Sequence, residues 1–506
     1  MINEVKKIEK DYFEHIKKMQ NLQEAIGLMA WDLRTGAPRK GIEQRSEVIG
    51  TLSQSVFELS TSSEMTFFIE TLTDSTVFDH LSDITKKSIL ESQKEYNLNV
   101  KIPAEDYKNY VILQSKSETI WSEAKATSDF SMLQPYLEKL VDFKNRFIDY
   151  WGYKGTRYNT LLDQYEPGVT VDVIDRVFHQ VREAIVPLVE GIKNAPNPPK
   201  TDFLFSTFPK AAQAEFSLFM LDEIGYDLDA GRLDETAHPF ATGLNPGDVR
   251  VTTNYNENDF RVAIFGTMHE GGHGIYEQNI SPELIGTPLC KGTSMGIHES
   301  QSLFFENFIG RSRPLWEHYY SEFKKAANGA FNNVSIDDFY RAINVAGPSF
   351  IRIEADELTY PLHIIVRYEI EKGLFNGDLK VKDLPGIWNH KMEAYLGIRP
   401  KNDREGVLQD IHWSGGDFGY FPSYALGYIY AAQFKKAMLN DLPDFDGLLR
   451  GGHITPIRNW LNTHIHQYGA LKQPIEIVKE VTGGPLNAEP LIDYLTTKYS
   501  ELYSLK

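Results

Sequence analysis

The feature that most constrains the fold of this chain is a helical spacing of apolar residues that returns along much of its length. In the first segment the apolar side chains recur three or four positions apart, with lysine and glutamate between them, at Val5, Ile8, Tyr12, Ile16, Met19, Leu22 and Ile26. This spacing places them on one face of an amphipathic helix. Similar patterns over 43–59, 84–98 and 173–185 predict further helices.

Turn-forming residues separate these helical segments. A break over 34–38 follows the first helix, and the proline-rich run 194–199 ends the helix that begins near residue 173. The chain has 506 residues. A single hydrophobic core stops growing at roughly 250–300 residues. We therefore expect two lobes within one unit, a helical amino-terminal lobe over 1–195 and a second lobe over 196–506.

One short region has the pattern of a β-hairpin. Two β-prone runs, 238–244 and 249–255, flank the turn sequence Asn-Pro-Gly-Asp. Everything after the hairpin again has helical character, including a long pattern over 350–375 in which Pro361 predicts a kink. The predicted fold class is mostly α with a small sheet.

A further helix is predicted by Ser335, which is followed three residues later by Asp338. This pair resembles a capping box, in which the side chain of the first residue accepts a hydrogen bond from the backbone of the third helical residue. The sequence thus predicts a helix beginning directly after Ser335.

Charge and cysteine content limit the partners and the compartment. The chain has 52 Lys and Arg against 70 Asp and Glu, a formal net charge of −18 that repels nucleic acids and anionic lipid surfaces. No apolar run reaches the roughly 18 residues of a membrane helix, and the first residues lack the apolar core of a secretory signal. The one cysteine, Cys290, has no partner for an internal disulfide. We expect a cytoplasmic protein that binds neither nucleic acid nor membranes.

The strongest chemical signal is His269-Glu270-Gly271-Gly272-His273, within the otherwise helical segment 260–278. On a helix, two histidines four residues apart differ by about 40° and about 6 Å, so both imidazoles can face one ion with Glu270 beside them. Zinc hydrolases have this arrangement. Because glycine weakens a helix, we expect the two glycines at positions where side chains would crowd the ion or a substrate.

A second helical run, beginning near Ser294, offers a third ligand. Glu299 follows His273 by 26 residues. A neighbouring antiparallel helix can bring this carboxylate to the ion and leave the fourth tetrahedral position for water. We expect one Zn²⁺ per chain, although two histidines and a carboxylate also suit Co²⁺ or another divalent ion. His298 is expected to pack or to support a ligand, and Cys290 to be a small hydrophobic side chain.

Six ordered motifs between 238 and 413 resemble those of the carboxypeptidase Taq family of metallocarboxypeptidases. They are HPF at 238–240, DxRxT at Asp248, Arg250 and Thr252, HExxH at 269–273, HESQ at 298–301, IRxxAD at 351–356 and GxxQDxHW at 406–413. The resemblance extends over nearly the whole chain. It implies a helical fold with a deep substrate groove, related to neurolysin and angiotensin-converting enzyme, a homodimer, and the release of single residues from the carboxyl ends of peptides.

The same resemblance, together with the chemistry of amide hydrolysis, suggests the catalytic residues. Glu270 is the expected general base, which takes a proton from water and later gives it to the leaving amine. His412 and Tyr424, with Tyr420 as a further candidate, are the expected donors to the oxyanion. The alternative for these tyrosines, with Tyr428 and Tyr430, is an aromatic packing stripe.

A carboxypeptidase must also bind the free carboxylate of its substrate, which the planar fork of arginine does in a bidentate manner. Arg352 is the first candidate and Arg250 the second. The alternative for Arg352 is a pair with Asp356 one turn later on the same helix. The hairpin edge over 250–255 can hold the substrate as an added strand. The other residues expected to bind substrate are His238, Asp248, Thr252, Gln409 and Asp410.

Two matters remain open at the level of sequence. Metal-binding imidazoles normally donate their second nitrogen to a carboxylate. The residue one turn after Glu299 is Leu303, so this partner is expected elsewhere, at Asp356 or Asp410. The metal motif also suits an oligoendopeptidase, which cuts within the chain, or a non-catalytic peptide-binding scaffold that retains a structural metal.

Overall fold

The computed structural model describes residues 2–505 and consists mainly of helices. The α-helices are α1 (Ile2–Thr35), α2 (Ile42–Ser60), α3 (Ser63–Leu72), α4 (Ser75–Phe78), α5 (Asp83–Val100), α6 (Ala104–Thr127), α7 (Phe130–Trp151), α8 (Arg157–Leu162), α9 (Val171–Lys193), α10 (Lys210–Ile224), α11 (Phe260–Gln278), α12 (Met295–Leu303), α13 (Arg313–Ala326), α14 (Ile336–Ile343), α15 (Tyr360–Asn376), α16 (Leu384–Leu396), α17 (Pro422–Asp441), α18 (Phe445–Arg450), α19 (Thr455–His464), α20 (Pro474–Thr482) and α21 (Glu489–Tyr503). The predicted fold class is confirmed.

The amphipathic spacing located the amino-terminal helices correctly. Helices α1, α2, α5 and α9 contain the four predicted segments, and α1 ends at Thr35, within the predicted break. Along α1 the side chains of Tyr12, Ile16 and Met19 are buried, as expected for the apolar face of an amphipathic helix. The run 194–199 connects helices and lies outside them, as its prolines predicted.

The sheet has three strands, β1 (Gly231–Glu235), β2 (Ala241–Asn245) and β3 (Asp248–Thr253), in the order β1-β3-β2. Strands β2 and β3 form the predicted antiparallel hairpin, whereas β1 pairs in parallel with β3 and was not predicted. Because β3 is the central strand, both of its edges are already paired. The expectation that a substrate strand adds at 250–255 is therefore wrong for the part of this segment that lies in β3.

The prediction of one kinked helix over 350–375 is wrong. Helix α15 begins only at Tyr360, and Pro361 lies in its first turn, where a proline costs no intrahelical hydrogen bond. The backbone turns before that point because the carboxylate of Asp356 accepts hydrogen bonds from the backbone N–H groups of Leu358 and Thr359, at 2.9 and 3.0 Å. The prediction at Ser335 is confirmed, since its hydroxyl caps α14 by accepting from the backbone N–H of Asp338.

The buried apolar residues form one large core and two smaller clusters. The large core extends from Tyr110 to Tyr503 and includes residues on both sides of position 195. A smaller cluster, which includes Tyr12 and Ile89, joins α1, α3 and α5. The division of the chain into lobes at 195 stays a prediction. No helix within residues 2–505 is long and apolar enough to cross a membrane.

Five elements of the large core position the candidate site. Helix α11 packs against β3, α10 and α12, and α12 packs in turn against α17. The carboxylate of Asp259 caps the first turn of α11 by accepting from the backbone N–H of Arg261, and the hydroxyl of Ser294 caps α12 by accepting from that of Ile297. These caps are typical of helices that begin at a defined residue.

Candidate metal centre and active site

His269, His273 and Glu299 form a group whose ligand atoms all lie within 4.8 Å of one another. The Nε2 atoms of the two histidines are 3.8 and 3.4 Å from the Glu299 Oε2 atom. Ligand atoms held at about 2.1 Å around a tetrahedral zinc ion are about 3.4 Å apart. The three side chains therefore fit one ion of this size. They are the same three residues that the sequence predicts as ligands.

Two glycines on α11 let the neighbouring helices approach closely. A Cβ atom on Gly272 would lie 2.5 Å from the backbone oxygen of Gln301 and 2.8 Å from the Cα of Ser302, both on α12. A Cβ atom on Gly271 would lie 2.8 Å from Leu221 on α10. The expectation that these glycines make room for an ion or a substrate is thus wrong, because both serve contacts between helices.

We expect the Gly272→Ala substitution to destabilise the protein and to weaken metal binding. The added methyl group meets backbone atoms of α12, the helix that carries Glu299, and overpacking of this kind costs about 1–3 kcal/mol. Gly266→Ala is the matched control on the same helix, because its Cβ would meet only the Thr253 hydroxyl at 3.8 Å. Thermal unfolding of the two variants tests this prediction, and equal melting temperatures would contradict it.

The second nitrogen of His269 has a carboxylate partner. Its Nδ1 atom lies 3.0 Å from the Glu306 Oε2 atom, and Arg311 donates to the other Glu306 oxygen at 2.8 Å through Nη2. Glu306 belongs to a π-helix over Phe304–Gly310 that directly continues α12. The expectation that Asp356 or Asp410 provides this carboxylate is wrong for His269, since Glu306 does so.

The second nitrogen of His273 has a different partner, the imidazole of His298. The two Nδ1 atoms are 2.6 Å apart, and the His298 Nε2 atom lies 2.8 Å from the Glu277 Oε1 atom. His298 does not belong to the group of three candidate ligands. The structure therefore agrees with the expectation that His298 supports a ligand, and it adds Glu277, which sequence reasoning missed.

The charges of the centre depend strongly on its burial. Burial lowers the pKa of His273 to about 4, which leaves this imidazole neutral at pH 7. Burial also opposes the charged form of His269, but the carboxylates of Glu299, Glu306 and Glu270 outweigh it and raise the pKa to about 10. Burial acts to raise the pKa of Glu306, but the charges of Arg311 and His269 outweigh it and lower this pKa to about 2.

Glu270 follows His269 directly on α11 and is only 7% exposed. Burial raises the pKa of its carboxyl group to about 7, although His269 acts to lower it. A carboxyl group with a pKa near the working pH can both accept and return a proton. A divalent cation beside it would favour the carboxylate form, which is the form that accepts.

A second polar cluster surrounds Arg352, which is 6% exposed. Its Nε atom donates to the Asp410 Oδ1 atom at 3.0 Å, and its Nη1 atom donates to the Tyr360 hydroxyl at 2.9 Å. Arg367 donates to the other oxygen of Asp410 at 2.7 Å. The side chain of Gln409 accepts from the backbone N–H of Arg352 at 2.9 Å.

This cluster carries a net positive charge, because two guanidinium groups share one carboxylate. Both arginines hold the pKa of Asp410 well below its usual range, although burial acts to raise it. The alternative in which Arg352 pairs with Asp356 is wrong, since Arg352 pairs with Asp410. Arg352 and Asp356 also do not share a helix, because the short helix that contains Arg352 ends at Glu354. Sequence reasoning missed Arg367 and Tyr360.

Three of the hairpin candidates, Arg250, Asp248 and Thr252, have hydrogen-bond partners within or beside the sheet. The Arg250 guanidinium donates twice to Asp248, at 2.7 and 2.8 Å, and lies 4.7 Å from the Trp31 ring. The Thr252 hydroxyl is buried, accepts a hydrogen bond from the backbone N–H of Phe240 and donates one to the backbone oxygen of Phe240. These partners leave Arg352 as the stronger candidate for binding a carboxylate. His238 is exposed, just before β2.

The aromatic candidates cluster around the same arginine. The Arg352 guanidinium carbon lies 5.1 Å from the centre of the Tyr424 ring, and the His412 ring lies 5.5 and 6.3 Å from those of Tyr420 and Tyr424. Burial raises the pKa of Tyr360, Tyr420 and Tyr424, and the charge of Glu299 contributes to each rise. The cluster and the candidate ligands thus belong to one electrostatic environment.

Helix α17 joins the two parts of the site. Tyr424 lies in its first turn, and one turn later a Cβ atom on Gly427 would lie 2.7 Å from the Cβ of Glu299. The packing alternative holds for Tyr428 and Tyr430, which are fully buried and donate to Glu357 and Glu166. Tyr420 and Tyr424 are only partly buried.

Cys290 lies outside the candidate centre. Its side chain is partly buried and packs against Ile280, Leu284 and Leu289. Burial raises the pKa of the thiol to about 11, so it stays protonated near neutral pH. These contacts agree with the expectation of a small hydrophobic side chain.

Known proteins resemble this chain over almost all of its length. A model of the family described as Carboxypeptidase Taq (M32) metallopeptidase matches residues 11–499. Carboxypeptidase 1 of Bacillus subtilis is 57% identical over 502 residues, covering 99% of this chain and 100% of that protein. Thermostable carboxypeptidase 1 of Thermus thermophilus is 38% identical, covering 94% of this chain and 95% of that protein.

The solved structures agree with the sequence matches. The crystal structure of M32 carboxypeptidase from Deinococcus radiodurans R1 has a TM-score of 0.94 and 32% identity to this chain, covering 98% of it and 99% of the other chain. A structure titled BsuCP has a TM-score of 0.90 at 57% identity and covers 98% of this chain and 99% of its own. The chain therefore belongs to the carboxypeptidase Taq (M32) family of metallopeptidases.

Proposed function

We propose that this metallocarboxypeptidase uses one zinc ion, held by His269, His273 and Glu299, to release single residues from the carboxyl ends of peptides. The observation that carries the proposal is the presence in one site of a three-ligand group and a buried arginine cluster with surplus positive charge. Family membership supports a carboxypeptidase and does not support the oligoendopeptidase or the non-catalytic scaffold.

The donor set favours zinc, although the metal itself is part of the proposal. Two imidazole nitrogens and one carboxylate oxygen are a common set of protein ligands in catalytic zinc sites. Zinc bound there supplies a Lewis acid that polarises the scissile carbonyl and activates water near neutral pH. Co²⁺ or another divalent ion also suits these ligands.

Glu270 is the proposed general base. Its carboxylate takes the proton of the attacking water and then delivers it to the nitrogen of the departing amino acid, so one group serves both steps. Its burial at 7% exposure excludes most solvent from this exchange. A divalent cation bound beside Glu270 would favour the carboxylate form that begins the cycle.

Arg352 is the proposed binding group for the terminal carboxylate. Its Nε and Nη1 atoms donate to Asp410 and Tyr360. The Nη2 atom makes no hydrogen bond to any residue that the structure describes. Asp410 fixes the guanidinium in place, and Gln409 fixes the backbone of Arg352. Arg367 offsets the charge of Asp410, so that Arg352 keeps its attraction for an anion. Asp410 and Gln409 thus contribute to binding through Arg352.

His412, Tyr424 and Tyr420 are the proposed donors to the oxyanion. Burial lowers the pKa of His412 to about 4, against the attraction of Asp410, so its imidazole is a neutral donor at pH 7. The observation that supports this role is the packing of the His412 ring against Phe421, Tyr420 and Tyr424, beside Arg352. Donors held rigidly before the reaction stabilise a developing negative charge best.

We expect His412→Gln to lower kcat by about 10²–10³, the usual cost of losing one such donor. His412 takes up a proton only as the pH falls through about 4. The ratio of wild-type to variant kcat should therefore stay constant from pH 5.5 to 8.5, because the wild-type imidazole stays neutral over this range. A ratio that changes around pH 6.5 would contradict this prediction. The exposed His179 provides the control substitution, His179→Gln.

The function is tested by mass spectrometry of an amino-terminally blocked peptide incubated with the enzyme. We expect a ladder that loses one residue at a time from the carboxyl end. A chelator should abolish the ladder, and added zinc should restore it. Internal fragments from the same peptide would contradict the proposed polarity, and a ladder that persists in the chelator would contradict the role of the metal.

The proposal includes a cytoplasmic homodimer, which rests on the family resemblance and on the sequence. One cysteine in 506 residues suits a reducing compartment, and the net charge of −18 argues against nucleic-acid and membrane partners. Light scattering during gel filtration tests the dimer. The expected mass is twice 57.8 kDa, and a mass of 57.8 kDa would contradict it.

A further inference from the structure

The two candidate histidine ligands reach carboxylates by different routes. His269 contacts Glu306 directly, with its Nδ1 atom 3.0 Å from a carboxylate oxygen. His273 instead contacts the His298 ring, Nδ1 to Nδ1 at 2.6 Å, and His298 contacts Glu277 at 2.8 Å. The metal centre thus has one direct support and one support that passes through an imidazole.

The direction of each hydrogen bond in the longer route follows from the ligand atom. The Nε2 atom of His273 faces Glu299 at 3.4 Å. If this atom binds the ion, the ring hydrogen is on Nδ1, which must donate to the Nδ1 of His298. His298 then carries its own hydrogen on Nε2 and donates it to Glu277, whose carboxylate only accepts.

The packing around His298 and Glu277 permits little rearrangement. The backbone N–H of Gly292 donates to the Glu277 Oε1 atom at 3.2 Å, and a Cβ atom on Gly292 would lie 2.6 Å from the His298 Cδ2 atom. From strand β2, a Cβ atom on Gly243 would lie 3.0 Å from the Glu277 Oε2 atom. Strand β2 and the loop before α12 therefore both contact the pair, whose side chains are 23% and 17% exposed.

We propose that His298 and Glu277 are positioning residues that hold His273 in the tautomer and ring orientation required for metal binding. The inference rests on the proposed metal centre and deepens it. Neither side chain belongs to the group of three ligands, so their loss should affect the affinity for the metal more than the rate of the loaded enzyme. Partners of ligating histidines typically contribute about 10–100-fold to metal affinity.

The test measures the zinc dissociation constant of the full-length protein by competition with a chromophoric chelator, with the absorption spectrum of the Co²⁺ form as a second readout. His298→Phe removes the acceptor and keeps a ring of similar shape, and Glu277→Gln removes the charge at nearly constant volume. Gly292→Ala displaces His298 without removing a side-chain hydrogen-bonding group. His466→Phe is the matched control, because this buried histidine contacts Tyr276 and Gln301 but no candidate ligand.

We expect His298→Phe and Gly292→Ala to bind zinc about 10–100-fold more weakly, with a changed Co²⁺ spectrum and a near wild-type kcat at saturating zinc. Glu277→Gln should shift the affinity in the same direction by less, and His466→Phe should bind as the wild type does. Unchanged affinity and spectrum in His298→Phe would overturn the inference, as would lost kcat with unchanged affinity. If His298→Phe does not fold, unchanged affinity in Glu277→Gln overturns it.

Failure of the proposed function has a separate signature in the same experiment. A wild-type chain that binds no zinc would overturn the metal centre, and the inference with it. If the wild-type chain binds one zinc ion and the variants bind zinc with the same affinity, only the positioning roles of His298 and Glu277 are overturned.

Discussion

Replacement of Glu270 by glutamine is expected to lower kcat by about 10²–10⁴ while the protein retains its metal, because general acid–base catalysis contributes this much to a rate. The amide of glutamine has nearly the volume of the carboxyl group but cannot accept the proton of water. The group of three candidate ligands is unchanged in this variant. Steady-state kinetics with a blocked dipeptide, together with the metal content of the purified variant, tests the prediction.

The control for this variant is Glu283→Gln, which removes an exposed carboxylate shortly after α11. We expect the control to keep the wild-type kcat. If Glu270→Gln retains kcat with its metal bound, Glu270 is not the general base. If the variant loses its metal, the loss of rate reports on metal binding, and kcat must then be measured at saturating zinc, where the account still predicts the large fall.

Replacement of Arg352 by glutamine is expected to lower kcat/KM by about 10²–10³, mainly through the loss of charge-assisted hydrogen bonds to the substrate carboxylate. Asp410 keeps Arg367 as a partner at 2.7 Å, so the variant does not leave a buried carboxylate unpaired. Kinetics with blocked dipeptides, and the inhibition constant of a free dipeptide product, measure the effect.

Arg250→Gln is the matched control for the second prediction, because Arg250 is the other arginine that the sequence offered for this role. Its guanidinium pairs with Asp248 and lies over Trp31, so its loss should leave kcat/KM near the wild-type value. A larger fall in Arg250→Gln than in Arg352→Gln would reverse the assignment. Equal melting temperatures of Arg352→Gln and the wild type would separate loss of binding from loss of folding.

The sequence was most informative where one local pattern determines the geometry. The four-residue spacing of His269 and His273 on a single helix made their shared face predictable. The helical run that carries Glu299 was predicted to begin near Ser294, which is the residue that caps α12. The hairpin was predictable for the same reason, since its turn residues and β-prone runs are adjacent in the chain.

Contacts between distant segments were less predictable. Glu306 contacts His269 from a π-helix, whose wider turn changes the direction of side chains, so α-helical spacing alone does not show which histidine it contacts. Strand β1 has no β-prone pattern and pairs with a strand formed later in the chain. Arg367 and Tyr360 join Arg352 only through tertiary packing.

Some of the missed residues did carry a signal in the sequence. Glu277 follows His273 by four residues, which places it on the helical face that already carries both candidate ligands. Glu306 follows Glu299 by seven residues, about two helical turns, and Arg311 follows five residues later. A carboxylate at such a spacing from a metal ligand is a reasonable candidate to support the site.

The central claim is that one metal ion joins two imidazoles of α11 to a carboxylate of α12. Anomalous diffraction from zinc-loaded crystals tests it most directly. We expect one strong peak per chain, within about 2.0–2.2 Å of the Nε2 atoms of His269 and His273 and of a Glu299 oxygen. A zinc peak at any other group of residues, or one that does not contact Glu299, would contradict it.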